Sequence, residues 1–170
     1  IHRLVRFRTS GPADPTPTIK RVEALQPTCA LQQAAHLKAL VRWVPSGGPG
    51  RFGCVVRGGL YQVAVSEQAL ARWHAAPPVP APLAGLDVSL LHGLVFPALG
   101  IGEGHLTYTA SAEDARRSIE THKADMAWLL SGIPIEQVYA IASGGVTLPP
   151  KSTFFYPKVF SGLVFNPFFD

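Results

Sequence analysis

Two cysteines in 170 residues, Cys29 and Cys54, belong to no Cys-x-x-Cys pair. Their number and separation exclude a disulfide scaffold and a thiolate metal centre, and they fit a reducing, cytoplasmic setting. Long apolar runs are missing too: none approaches the roughly 18 residues of a membrane-spanning helix, and no signal-peptide pattern opens the chain. Charge is scarce, at 15% of residues, and its small excess of +4 is local. Arg3, Arg6, Arg8, Lys20 and Arg21, set against Asp14 and Glu23, hold three of the four net positive charges within the first 25 residues. No helical pattern carries the stripe of Lys and Arg that a duplex-binding surface requires, so nucleic acid is not an expected partner. The opening residue is Ile1 rather than Met, as expected of a piece of a longer protein.

Familiar chemical motifs are also lacking. The histidines, His2, His36, His74, His92, His105 and His122, show neither His-x-x-x-His nor His-Glu-x-x-His spacing, so no metal site is expected. Gly47 to Gly53 imitates a phosphate loop in composition only. Such loops lead from a strand into a helix whose amides hold the phosphate, whereas this one leads from a helix into a strand. No Gly-x-Ser-x-Gly elbow occurs.

What the chain does have is apolar material for a core, 47% of its residues, cut into short pieces by 16 glycines and 16 prolines. Alternation predicts a strand over 2–8, with Arg3, Val5 and Phe7 on one face. Helical spacing runs from Leu31 to Val44 and stops at Pro45. Phe52–Val56 and Leu60–Val65, joined by Arg57-Gly58-Gly59, read as a hairpin, and Ser66 caps a helix through Trp73. Residues 75–85, with four prolines, read as a stiff linker between two halves of one domain spanning 1–170. Beyond it come a helix opened by Asp87, a strand 105–109, a helix 112–123 capped by Ser111, a strand 125–130 and a helix 134–142 closed by Gly144-Gly145. The β-α-β-α order predicts parallel pairing of the last two strands. The fold class is therefore α+β, a mixed sheet with a hairpin in the first half and a β-α-β-α unit in the second.

One stretch is dense in polar chemistry: Pro149-Pro150-Lys151-Ser152-Thr153-Phe154-Phe155-Tyr156-Pro157-Lys158. Ammonium groups, hydroxyls and rings within a dozen residues are the parts an anionic ligand needs, so Lys151, Ser152, Thr153, Tyr156 and Lys158 are candidate contacts to phosphate or another anion. A buried aromatic strand whose lysines reach solvent is the reading that the same residues favour slightly over it. A second candidate polar site pairs Asp87 with His92, about a turn and a half along one helix. The remaining carboxylates, Glu103, Asp125 and Glu136, are scattered, and no catalytic residue is assigned.

These segments carry a resemblance. His2-Arg3-Leu4-Val5, Leu86 to His92, Leu106-Thr107-Tyr108, Ala124 to Leu130 with Pro134 to Val138, and above all Lys151 to Lys158 with Ser161-Gly162-Leu163-Val164, resemble the C-terminal part of a bacterial and archaeal family known as domain of unknown function 1015. Members are more than twice this length, and their N-terminal Gly-His-His-Arg-Tyr element, missing here, is similar to a motif of ParB and sulfiredoxin-like domains. The resemblance implies the C-terminal portion of a nucleotide- or phosphometabolite-binding enzyme, kinase-like only as part of the longer protein, where ATP and Mg²⁺ would enter. The alternative it leaves is a non-catalytic, DNA-associated or regulatory binding module. The expected partner is a small anionic ligand, with no membrane association.

Overall fold

The computed structural model describes residues 1–7 and 16–154. Six strands form one sheet: β1 (His2–Val5), β2 (Cys29–Gln33), β3 (Arg51–Val56), β4 (Gly59–Val65), β5 (Leu106–Thr109) and β6 (Met126–Leu129). Their spatial order is β2-β4-β3-β6-β1-β5, and every ladder is antiparallel. The α+β class holds, with 21% of the described residues in strands and 44% in helices. The expected parallel pairing does not. β5 and β6 are joined by a crossover helix and run the same way, but β1 inserts between them and pairs antiparallel with both. A local β-α-β pattern cannot reveal that a strand from the opening residues fills the gap.

Helices cover both faces. Over one lie α2 (Leu37–Trp43) and α7 (Ala112–Glu120), packing Leu37, Leu40, Ala115 and Ile119 on Leu4, Val55, Ala127 and Leu129. Over the other lie α1 (Thr16–Glu23), α3 (Glu67–Ala75), the short turns α4 (Ala81–Ala84), α5 (Asp87–Leu90) and α6 (Phe96–Leu99), and α8 (Ile135–Ser143). This side holds the larger core, with Val5, Phe52, Cys54, Met126 and Trp128 on the sheet and Leu90, Leu91, Val95 and Phe96 above them. Buried on both faces, β6 reads Met-Ala-Trp-Leu with no polar residue, as a central strand should. On the α2 side Gly53 lets the helix settle close, since a Cβ there would stand 2.9 Å from Leu40 Cγ and 3.1 Å from Leu129 Cβ.

The hairpin and both serine caps appear where the spacing places them: Ser66 Oγ accepts from Ala69 N–H and Ser111 Oγ from Asp114 N–H. The helix expected over 31–44 is shorter. Its first residues belong to β2, laddered to β4 from Cys29↔Val65 to Gln33↔Tyr61, and the helix begins only after His36, whose Nδ1 accepts from Ala39 N–H. A tertiary ladder overrides local helical spacing here. The proline-rich segment is not an extended spacer either. Pro80 and Pro82 sit at the start of α4, where missing N–H groups cost nothing, and Leu83 and Ala84 are buried. β6, from the second half of the chain, lies between β3 and β1 of the first half, so the halves share one sheet. No helix of the described residues is long and apolar enough to cross a membrane. Cys29 and Cys54 are free and buried, and burial pushes both thiols up, Cys29 to about 11.

Candidate functional site

Among the described residues one charged side chain is buried beside the larger core. Arg3, in the second position of β1, shares a face with Val5 and is 1% exposed. Its neighbours across the ladders are Tyr108 on β5 and Trp128 on β6, and the guanidinium carbon lies 5.3 Å from the Tyr108 ring centroid. Arg3 Nη1 donates to the Ile1 carbonyl at 2.6 Å and to the Lys151 carbonyl at 3.3 Å, and Nε donates to His92 Nε2 at 3.4 Å. Nη2 is buried and has no hydrogen-bond partner among the described residues. No carboxylate among the described residues forms an ion pair with it. Burial lowers the guanidinium's hold on its proton, with Tyr108 acting in the opposite sense, yet an arginine stays charged.

Arg3 lines a cavity of about 290 Å³. Ser89, His92, Glu103 and Tyr108 supply its other polar groups, while Trp73, Val79, Val88, Pro149 and Pro150 supply apolar wall. Ser89, 5% exposed, carries a second orphan there, a hydroxyl with no partner among the described residues. The chain is built to shape this space. Residues Leu91–Val95 widen the helix into a π turn between α5 and α6, a distortion frequent at functional sites, and it carries His92 and Gly93. A Cβ on Gly93 would stand 2.3 Å from the Trp73 ring, so only glycine admits that ring, which is anchored by its Nε1 donating to the Ala84 carbonyl at 2.8 Å. His92 lies tilted against Phe96 with centroids 4.8 Å apart, and Phe96 meets Trp128 edge-on at 6.1 Å.

The candidates read from sequence are distributed unevenly around this cavity. His92 lines it, but Asp87 turns away: its Oδ1 accepts from Gly50 N–H at 2.8 Å, and it lines a separate space of about 200 Å³ with Gly47, Gly48 and Ser131. Asp87 thus ties the glycine-rich loop to the start of α5. The terminal motif reaches the cavity through its backbone, because Pro149 and Pro150 form wall and the Lys151 carbonyl accepts from Arg3. The Lys151 side chain is exposed, Ser152 Oγ donates back to the Pro149 carbonyl at 2.6 Å, and Thr153 is half-buried. Tyr156 and Lys158 lie outside the described residues. Sequence reasoning did not single out Arg3, Ser89, Glu103, Tyr108 or Trp73 as site residues. The signal was present for Arg3, a charge in phase with Val5 on a strand. On the opposite face a cavity of about 430 Å³ between α2 and α7 has Arg116 on its wall, but Glu120 already pairs with that guanidinium at 2.6 Å.

Two histidines near Arg3 are held neutral. Burial, with Arg3 adding to it, pulls His2 down to about 4, and burial followed by Arg3 pulls His92 down, with Glu103 opposing. Each ring accepts a hydrogen bond that protonation would destroy, His2 Nδ1 from Leu130 N–H and His92 Nε2 from Arg3. The unfolded chain, titrating near 6.5, binds protons that the folded chain refuses. Stability is therefore full above pH 6.5 and declines as pH falls from there toward about 4. Asp87, raised by burial against the pull of two backbone amides, acts in the opposite sense as its carboxyl protonates. Urea unfolding should give a lower midpoint at about pH 5 than at about pH 7, with part of that slope gone in His92→Gln.

No family model, curated protein or solved structure matches the chain, so the resemblance in its motifs rests on those residues alone.

Proposed function

We propose that the chain binds a small anionic metabolite, bearing a phosphate or a carboxylate, in the Arg3 cavity, as the C-terminal portion of a nucleotide- or phosphometabolite-binding enzyme. The observation that carries this reading is the Arg3 guanidinium, buried and, among the described residues, without a counter-ion and with Nη2 unpartnered. A buried charge left unpaired costs several kcal/mol, and an anion seated beside it removes that cost. Ser89 supports the reading with an unused hydroxyl on the same wall. Segments 2–5, 86–92, 106–108 and 149–151, distant in sequence, meet around this cavity.

A thermal-shift titration at fixed pH and ionic strength, with inorganic phosphate, pyrophosphate, ADP, ATP and small carboxylates beside a neutral control, tests it. At least one anion should raise the melting temperature in a concentration-dependent, saturable way, as a ligand that favours the folded state must. A chain whose melting temperature no anion raises above the neutral control contradicts the reading.

A further inference from the structure

The polar groups of the cavity are not all of one sign. Arg3 is buried in its wall, whereas Glu103, opening the turn after α6, is exposed and makes no ion pair among the described residues. The two line the same cavity but stand more than 4.0 Å apart, since no salt bridge joins them. Glu103 still acts on the interior, for its charge is felt at His92. His92 itself adds no charge there, being neutral and accepting from Arg3.

This arrangement sorts anions by charge. Nε and Nη1 of Arg3 are engaged by His92, Ile1 and Lys151, which leaves Nη2 and the Ser89 hydroxyl to donate. Those donors suit one carboxylate or one phosphate monoanion. A polyphosphate would bring several negative charges to a single cation and meet Glu103 at the rim. Among the described residues no three His, Cys, Asp or Glu side chains gather as a metal-holding group that could offset that charge. The volume, about 290 Å³, is at the small end of ligand pockets. Between the charges the wall is apolar, with Trp73, Val88 and Pro150.

Resting on the anion-site reading above, we infer that the occupant is a small zwitterion with an apolar body, of the class of apolar amino acids. Its carboxylate takes Arg3 Nη2 and Ser89 Oγ, its ammonium faces Glu103, and its side chain lies against Trp73 and the proline pair. The cavity's own dipole then meets a ligand dipole of opposite sense, and neither end leaves a charge unanswered.

Calorimetric titration of the chain with L-leucine and L-phenylalanine, with the deaminated acids 4-methylpentanoate and 3-phenylpropanoate, and with phosphate and ATP tests this against Glu103→Gln. Because Glu103 is exposed, that variant keeps the fold. The amino acids should bind about five-fold more tightly than their deaminated acids, the worth of a partly exposed ion pair. Glu103→Gln should erase the preference, weakening the amino acids while the deaminated acids, relieved of a negative neighbour, bind as well as before or slightly better. Equal binding of amino acids and deaminated acids, or a preference that survives Glu103→Gln, overturns the zwitterion while the anion site stands. Binding of phosphate or ATP without any carboxylate does the same, and failure of every anion brings down the underlying reading as well.

Discussion

Arg3→Met should leave the chain folded with a stability within about 2 kcal/mol of the parent and abolish its response to anionic ligands. The reasoning weighs two costs. Burying a guanidinium without a carboxylate is expensive, and a methionine of similar length removes that expense, as apolar replacements of buried charges often do. Against this, the half-buried Ile1 and Lys151 carbonyls lose their donor, at about 1 kcal/mol each where water can replace it. The two largely offset in the free protein. They do not offset in the complex, where the lost charge-assisted contact should weaken binding by about a hundred-fold or more. Urea unfolding and calorimetric titration of parent and variant separate the terms. A variant that binds the same anion as tightly as the parent removes Arg3 from the site. One that fails to fold makes Arg3 structural, and Arg3→Lys, which keeps the charge and loses the planar fork, then reports whether the anion response follows the guanidinium.

Trp128→Ala should be the most damaging single truncation in the core. Trp128 is fully buried at the centre of β6, edge-on to Phe52 at 6.4 Å and to Phe96 at 6.1 Å, and it neighbours Arg3 across the β1 ladder. Truncation opens a large void that flanking strands cannot close, at about 3–5 kcal/mol. For a domain of this length that corresponds to a melting temperature lower by about 10 °C or more. Trp128→Phe should cost much less. Phe keeps most of the ring and also removes an indole N–H that is buried without a partner among the described residues. Equal losses from the two substitutions would show that the indole N–H, and not ring volume, matters at this position.

The parts of the fold legible in the sequence are those set within a few residues. The hairpin needs only Val56-Arg57-Gly58-Gly59, with Gly58 at a positive φ of 82° closing the turn, and the caps need only Ser66 or Ser111 before a helix. Elements chosen by distant partners were misread. Leu31 sits at helical spacing from Ala35, yet it pairs with Val63 in a ladder that no local window contains. The order of β5 and β6 was clear, but the strand between them comes from the opposite end of the chain.

The candidate site divides in the same way. His92 and the Pro149–Lys151 segment stood out as chemistry, and both reach the Arg3 cavity. Their roles there are not the ones composition suggested: among the described residues the terminal motif offers proline wall and a carbonyl, while Ser152 is spent within its own turn. Asp87 and His92 share a helical run, but the π turn and the bond to Gly50 send them to different cavities. Arg3 passed as one basic residue in a basic opening segment, because whether its face of β1 is buried depends on α5, α6 and the turns around them, some 90 residues away.

The most direct test is an NMR titration that follows arginine side-chain resonances while a small anion is added at constant ionic strength. The Arg3 guanidinium signals should move first and saturate together with the Trp73 indole signal across the cavity. Saturation that leaves Arg3 still while Arg57, Arg116 or Arg117 respond would place the anion on the opposite face of the sheet and contradict the account.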